Sequence, residues 1–282
     1  MTDRSVMWYS RAMPMIATTA GSVAYDERGS GHTIVLLPSG GHRRRDYDEL
    51  RALLAPDLRT IAIDWPAHGE SPAGEGQMSA MRLADVAEQV ISDLAPEGAI
   101  VLGNSVGGFA AARLAVRRPE LVAGLIIVDG GGFSGCPAHE RAFCALMSRP
   151  RLLRAIYPLF ARAYMRARTD ADRRALSDAI ETTRRDPGLG AVAEIWGSFP
   201  SPEHDLRADA GLIAAPTLVL WGRRDLVIPA RIGRRIAGMI TGARFVQLDT
   251  GHVPYTSDPQ GVAAELLAFA RALGSAAPAS SA

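Results

Sequence analysis

The stretch that most constrains this chain is Gly103-Asn104-Ser105-Val106-Gly107-Gly108, between a short apolar run, Ala99 to Leu102, and an alanine-rich helical pattern from Phe109 to Arg118. A G-x-S-x-G run with a buried strand before it and a helix after it demands a sharp strand-to-helix turn. The serine sits at the apex with its hydroxyl lifted clear of the backbone. Glycines at 103 and 107 suit that turn, because strand and helix can approach closely only with no Cβ in the way.

The rest of the chain supplies the setting. Ile16 to Glu27 alternates around Gly21 and Ser22, which predicts an antiparallel hairpin at a sheet edge. Thr33 to Leu37 is a continuous β-branched and leucine run ending in Pro38-Ser39-Gly40-Gly41, the pattern of a strand covered on both faces. Tyr47 to Leu54 reads as a helix, Arg59 to Ile63 as a strand, and Asp64 to Pro72 as a loop rich in breakers. Ser79 precedes a helical pattern carrying Leu83, Val86, Ala87, Val90, Ile91 and Leu94. Strand patterns return at Leu121 to Val128, leading into Asp129, and at Pro216 to Trp221 and Ala243 to Leu248. Repeated strand-turn-helix units predict an α/β fold with a mostly parallel sheet and helices on both faces. Ligands then bind beyond the carboxyl ends of the strands, where Pro38 to Gly41, Ser105 and Asp129 fall.

From Ser134 to Asp209 strand-like runs vanish and arginine becomes dense. Helical patterns at Arg151 to Arg166 and Asp172 to Thr183 predict an insertion, with Ile156, Leu159, Phe160 and Tyr164 forming a seam against the main domain. Its charges are nearly balanced, so the arginines read as a solvated face. The expected organisation is an N-terminal extension over 1–20, a core over 21–133 and 210–273, a helical cap over 134–209, and a disordered tail over 274–282.

Composition narrows the function. The chain has 282 residues and a net charge of +1, so nothing calls for nucleic acid or an anionic membrane. All 31 basic residues are arginine. Without lysine, a P-loop phosphate cradle and Schiff-base chemistry lack their required residue. Cys136 and Cys144 form neither a C-x-x-C pair nor a disulfide framework, and read as packing residues. No apolar run is long enough to span a membrane, and a cytoplasmic location is expected. Oligomeric state, monomer or homodimer, is left open.

Two loops complete a chemical constellation: Trp221-Gly222-Arg223-Arg224-Asp225 past one strand, and Asp249-Thr250-Gly251-His252-Val253 past the last. A serine hydroxyl is a poor nucleophile until a base takes its proton and a carboxylate fixes that base's tautomer. Ser105, Asp225 and His252 provide those groups in the order nucleophile, acid, base. With the strand ending at Pro38, the Asp64 to Pro72 loop similar to D-x-P-G-x-G-x-S, the W-G-x-x-D stretch and the late G-H, the chain resembles the α/β-hydrolase superfamily from about Gly21 to Leu273.

The resemblance implies an α/β-hydrolase fold with a helical cap. It implies Ser105 as nucleophile, His252 as general base and then acid, and Asp225 as its orienting partner. Asp129 occupies the alternative acid position used by some relatives. The backbone N–H groups of Val106 and Gly40 would form the oxyanion hole. Many relatives have H-G where this chain has Pro38-Ser39-Gly40, and the Ser39 hydroxyl is a candidate third contact. Asn104 is expected to shape the elbow and is a candidate substrate contact; His68 and Asp64 are expected to form a turn. The implied reaction is hydrolysis of an ester, lactone or thioester of a small-molecule acyl substrate, with no metal or organic cofactor. Serine at 105 argues against the epoxide hydrolase and haloalkane dehalogenase branches, which need a carboxylate there. Alternatives are a carbon–carbon bond hydrolase of the meta-cleavage type, suggested by G-N-S-x-G-G but with Val253 where those relatives carry an aromatic residue, cofactor-free perhydrolysis, and a non-catalytic binding protein.

Overall fold

The computed structural model describes residues 13–276. Eight strands form one sheet: β1 (Met15–Thr18), β2 (Gly21–Arg28), β3 (His32–Leu37), β4 (Leu58–Ile63), β5 (Ala99–Asn104), β6 (Val122–Val128), β7 (Thr217–Gly222) and β8 (Arg244–Leu248). Their spatial order is β1-β2-β4-β3-β5-β6-β7-β8. The β1–β2 and β2–β4 pairings are antiparallel, and the rest are parallel. The buried runs read as continuous strands are these parallel ones; β5 and β7 are buried along their whole length.

Helices cover both faces. On one, α2 (Ala80–Leu94), α3 (Val106–Arg117) and α8 (Ala230–Met239) pack their apolar stripes on the sheet. On the other lie α1 (Asp48–Leu54), the short α9 (Pro254–Ser257) and α10 (Pro259–Ala276). Ser79 caps α2, its hydroxyl accepting from the Arg82 N–H at 3.1 Å.

Two expected boundaries move. The sheet begins at Met15, inside the stretch read as an N-terminal extension, and α10 runs to Ala276, three residues into the expected tail. Residues 1–12 and 277–282, the remainder of both stretches, lie outside the described residues. Cys136 and Cys144 are free thiols. Among the described residues no helix is long and apolar enough to cross a membrane.

Between β6 and β7 the chain forms α4 (Ala138–Met147), α5 (Pro150–Met165), α6 (Asp170–Thr182) and α7 (Gly188–Ser198). The seam of α5 is Leu153, Tyr157, Ala161 and Tyr164, all buried, whereas Leu159 is 74% exposed. Steps of three and four residues keep 153, 157, 161 and 164 on one face; Leu159 falls off that stripe.

Asp172 at the start of α6 ties this insertion to the segment after His252. One carboxylate oxygen accepts from the Thr256 hydroxyl at 2.6 Å and the Ser257 hydroxyl at 2.8 Å. The other accepts from the N–H groups of Arg168 and Thr169, at 2.9 and 3.2 Å. Removing a buried acceptor with this many donors strands each of them. Asp172→Ala should therefore lower unfolding free energy by about 3 kcal/mol in urea titrations. A loss below about 0.5 kcal/mol, the scale of an ordinary surface change, would contradict the anchor role.

Candidate active site

Ser105 links β5 to α3 at φ 57° and ψ −115°, a conformation costly for a residue with a side chain. The surroundings hold it there. Its N–H donates to the Val128 carbonyl at 3.1 Å, and its carbonyl accepts from the Gly131 N–H at 2.9 Å. A Cβ at Gly103 would overlap the Gly107 carbonyl oxygen, and one at Gly107 would overlap the Leu37 carbonyl oxygen. The first turn of α3 therefore abuts the end of β3. Val106, at the N-terminus of α3, has an N–H with no intrahelical acceptor. A Cβ on Gly40 would lie only 3.9 Å from the Val106 side chain, so the two expected oxyanion donors are neighbours.

His252 Nδ1 and Asp225 Oδ2 are 2.8 Å apart and buried. The other Asp225 oxygen accepts from the N–H groups of Val227 and Ile228 at 2.7 and 3.1 Å. With Nδ1 bonded to the carboxylate, Nε2 is the nitrogen left to exchange a proton. Ser105 and His252 border one small cavity, with no hydrogen bond between their side chains, a looser arrangement common before substrate is seated.

The other candidate acid, Asp129, is fully buried beside this pair. Oxygens of Asp129 and Asp225 and a nitrogen of His252 lie within 4.8 Å of one another. Asp129 Oδ1 accepts from the Gly222 N–H at 2.9 Å. Burial first, and then the charge of neighbouring Asp225, raise the Asp129 pKa well above the usual carboxylate range. Asp129 is thus the carboxyl whose ionisation burial opposes, whereas Asp225 is the one hydrogen-bonded to His252.

The loop after β3 is pinned from several sides. Tyr47 donates to the Leu37 carbonyl at 2.9 Å and the Trp65 indole to the Pro38 carbonyl at 2.7 Å. The Gly41 N–H donates to His68 Nε2 at 2.9 Å, while His68 Nδ1 is 2.9 Å from the Pro66 carbonyl. These two bonds fix the tautomer with the proton on Nδ1. Burial lowers the His68 pKa to about 4, so the ring is neutral and able to accept. His68 does more than form the turn expected of it. Asp64 accepts from the Arg44 N–H and guanidinium at 2.7 and 2.5 Å and from the Glu70 N–H at 2.9 Å, holding the loop that carries His68.

Ser39 is 5% exposed and, with Gly40, lines the cavity that Ser105 and His252 share. Asn104 does not reach it. Its side-chain amide donates to the carbonyls of Val128 and His252, both at 3.0 Å, and its oxygen accepts from the Tyr255 hydroxyl at 3.2 Å. These bonds occupy the group named as a candidate substrate contact, and they tie the His252 loop to β5. Tyr164 went unpredicted as a site residue because it lies about ninety residues away on a helix. Its carbonyl accepts from the His252 N–H at 3.2 Å, its ring meets the imidazole edge-on at 5.7 Å, and its hydroxyl is 2.8 Å from His42 Nε2.

A larger cavity, about 470 Å³, also reaches Ser105; it is lined by the Gly130 to Phe133 turn and Phe143, and it shares Phe160, Trp196 and Phe199 with the smaller one.

This architecture meets an independent observation: residues 34–265 match the family model described as the alpha/beta hydrolase family. The chain belongs to the alpha/beta hydrolase family. This alpha/beta hydrolase is 28% identical over 265 residues to a pimeloyl-[acyl-carrier protein] methyl ester esterase from Pectobacterium carotovorum, covering 88% of this chain and 98% of that one. It superposes with a TM-score of 0.79 on a hydrolase from Pseudomonas aeruginosa PA01, at 25% identity, covering 93% and 99% of the two chains. With an enol-lactonase from Burkholderia xenovorans LB400 the TM-score is 0.80 at 23% identity, covering 92% and 100%, a likeness of fold.

Two outcomes follow for this alpha/beta hydrolase. Asparagine is isosteric with a neutral carboxylic acid, so Asp129→Asn should cost less than about tenfold in kcat, whereas Asp225→Asn should cost about ten-thousandfold. Steady-state rates of the two variants on any turned-over ester check this; the reverse order would contradict it. The second concerns pH. His68 takes its proton near 6.5 when unfolded and near 4 when folded, so between these values the unfolded chain binds more protons. The stability contributed by neutral His68 is complete above about pH 6.5 and declines toward pH 4. Relative to His68→Gln, the wild type should lose up to about 3 kcal/mol between pH 7 and pH 4 in urea unfolding. A constant difference would contradict the neutral, accepting role.

Proposed function

We propose that this alpha/beta hydrolase cleaves a carboxylic ester through a covalent acyl-enzyme on Ser105. His252 Nε2 takes the Ser105 proton as Oγ attacks the carbonyl carbon, and the N–H groups of Val106 and Gly40 receive the developing oxyanion. On collapse the carbon–oxygen bond to the alcohol breaks, and the leaving oxygen takes the proton from His252. Water then attacks the acyl-enzyme, giving a proton to His252, and the acid departs as Ser105 regains that proton. The Asp225 carboxylate stabilises the imidazolium in both halves, and neutral Asp129 stands behind it.

The observation that carries this reading is the buried His252–Asp225 hydrogen bond at 2.8 Å, with His252 and Ser105 lining one cavity. The relative named as a methyl ester esterase, similar over nearly its whole length, supports an ester as the acyl donor. A lactone or thioester would enter by the same first step.

The test is turnover of a panel of esters, lactones, thioesters and a dienol-ketone by the wild type and Ser105→Ala. Esters should be turned over, and Ser105→Ala should lower kcat by about a millionfold. Unchanged turnover in Ser105→Ala would exclude the mechanism. Turnover of the dienol-ketone alone would replace it with carbon–carbon bond hydrolysis.

A further inference from the structure

The two cavities that meet at Ser105 differ greatly in size, and only one contains the histidine. His252, Gly40 and Ser39 line a cavity of about 30 Å³ closed by Tyr157, Tyr164 and Ile195. The cavity of about 470 Å³ also reaches Ser105 but not His252. In ester cleavage the leaving oxygen must take its proton from the histidine. Because Nδ1 is bonded to Asp225, that proton comes from Nε2, and it is the small cavity that His252 lines. The alcohol part must therefore leave through a space of about 30 Å³, room for about two water-sized groups. The acyl part is left with the large chamber, which is within the usual size range of small-molecule sites.

The chamber has a specific chemistry. Phe143 and Trp196 meet edge to face at 5.4 Å, and Trp196 and Phe199 at 5.2 Å, forming an aromatic wall. His204 stacks on Phe199 at 5.0 Å and lies against Phe109 at 4.3 Å, so its ring is clamped. Its Nε2 is out of solvent and has no protein partner. Burial lowers the His204 pKa to about 4, keeping the ring neutral. A Cβ on Gly131 would lie 3.6 Å from that nitrogen, and the Gly131 N–H is bonded to the Ser105 carbonyl, so His204 stands one residue's width from the elbow. A clamped, buried polar atom without a partner in a chamber wall is a site for a ligand's polar atom.

We propose that the substrate is a methyl- or ethyl-sized ester of a bulky, largely apolar acid, whose acyl group fills the aromatic chamber and carries an oxygen function that hydrogen-bonds to His204 Nε2. This rests on the serine-hydrolase reading above and narrows it. A lactone, whose leaving oxygen stays tethered to its ring, and a thioester with a long carrier arm do not fit the small side.

Two isomers of equal composition test the asymmetry: methyl 3-phenylpropanoate, with the ring on the acyl side, and 2-phenylethyl acetate, with the ring on the alcohol side. Labelling of Ser105 by a fluorophosphonate, located by peptide mapping, is run alongside. The methyl ester should exceed the acetate in kcat/KM by about a hundredfold, as expected when one pocket excludes several carbons. Equal rates, a preference for the acetate, or labelling of Ser105 with neither isomer turned over would overturn the assignment. Absence of labelling would overturn the serine-hydrolase reading itself, and the assignment with it.

The His204 contact is tested with the methyl esters of 3-(2-, 3- and 4-hydroxyphenyl)propanoate. At least one should exceed the unsubstituted ester by about tenfold in kcat/KM. That ratio should fall to about one in His204→Phe and be partly kept in His204→Gln, which retains a polar tip. A ratio near one for all three in the wild type, or one unchanged in His204→Phe, would overturn the contact. Because it is a ratio within one variant, it is insensitive to loss of folded protein.

Discussion

The approach of two backbones, the first turn of α3 against the carbonyl end of β3, is the constraint on which the rest of the site depends. Gly107 lies so close to the Leu37 carbonyl that no side chain fits between them, and Gly103 is packed as tightly under Gly107. That contact sets Ser105 in its strained conformation and brings the Val106 N–H beside Gly40. It also makes β5 the datum for the histidine, because Asn104, one residue before the serine, bonds the carbonyl of His252 and that of Val128. The end of β6 and the loop after β8 are thereby both referred to a single buried amide on β5.

Around this frame the buried polar groups are neutral or paired, as burial requires. Asp225 is paired with His252 and two backbone N–H groups, and burial raises the pKa of Asp129 beside it, favouring its neutral form. His68 is neutral and accepts from Gly41, and Asp64 is matched by Arg44. The helical insertion joins the same network through the Tyr164 carbonyl and hydroxyl and through Asp172. Its residues Tyr157, Tyr164 and Ile195 line the small cavity and Phe143, Phe160 and Trp196 the large one, so the insertion that walls both cavities also supports the histidine loop.

What the sequence makes legible here is local. The strands of the parallel sheet stand out because each is an unbroken apolar run, and the elbow because close backbone contact leaves a glycine signature. Asp225 and His252 can be read because each follows a strand and so falls at the same sheet edge. What stays hidden depends on pairings that no local pattern encodes. Asp129 and Asp225 follow neighbouring strands, and only β6–β7 adjacency reveals that they are buried side by side. His68 looks like a turn residue until the loop folds under Gly41. Asn104 borders Ser105 in sequence, yet its strand turns its side chain into the protein. Leu159 is apolar like the α5 seam, but helical geometry turns it outward. The insertion is the least legible part, since its contacts to the site come from single residues such as Tyr164 and Asp172.

The account stands on an acyl group passing through Ser105, and the most direct measurement is to catch it there. Acid-quenching the enzyme during turnover of methyl 3-phenylpropanoate, followed by peptide mass mapping, should find the 3-phenylpropanoyl group on the peptide containing Ser105. Replacing water by a stronger nucleophile such as hydroxylamine should discharge it. Steady turnover with no adduct on that peptide, undiminished in Ser105→Ala, would contradict the account.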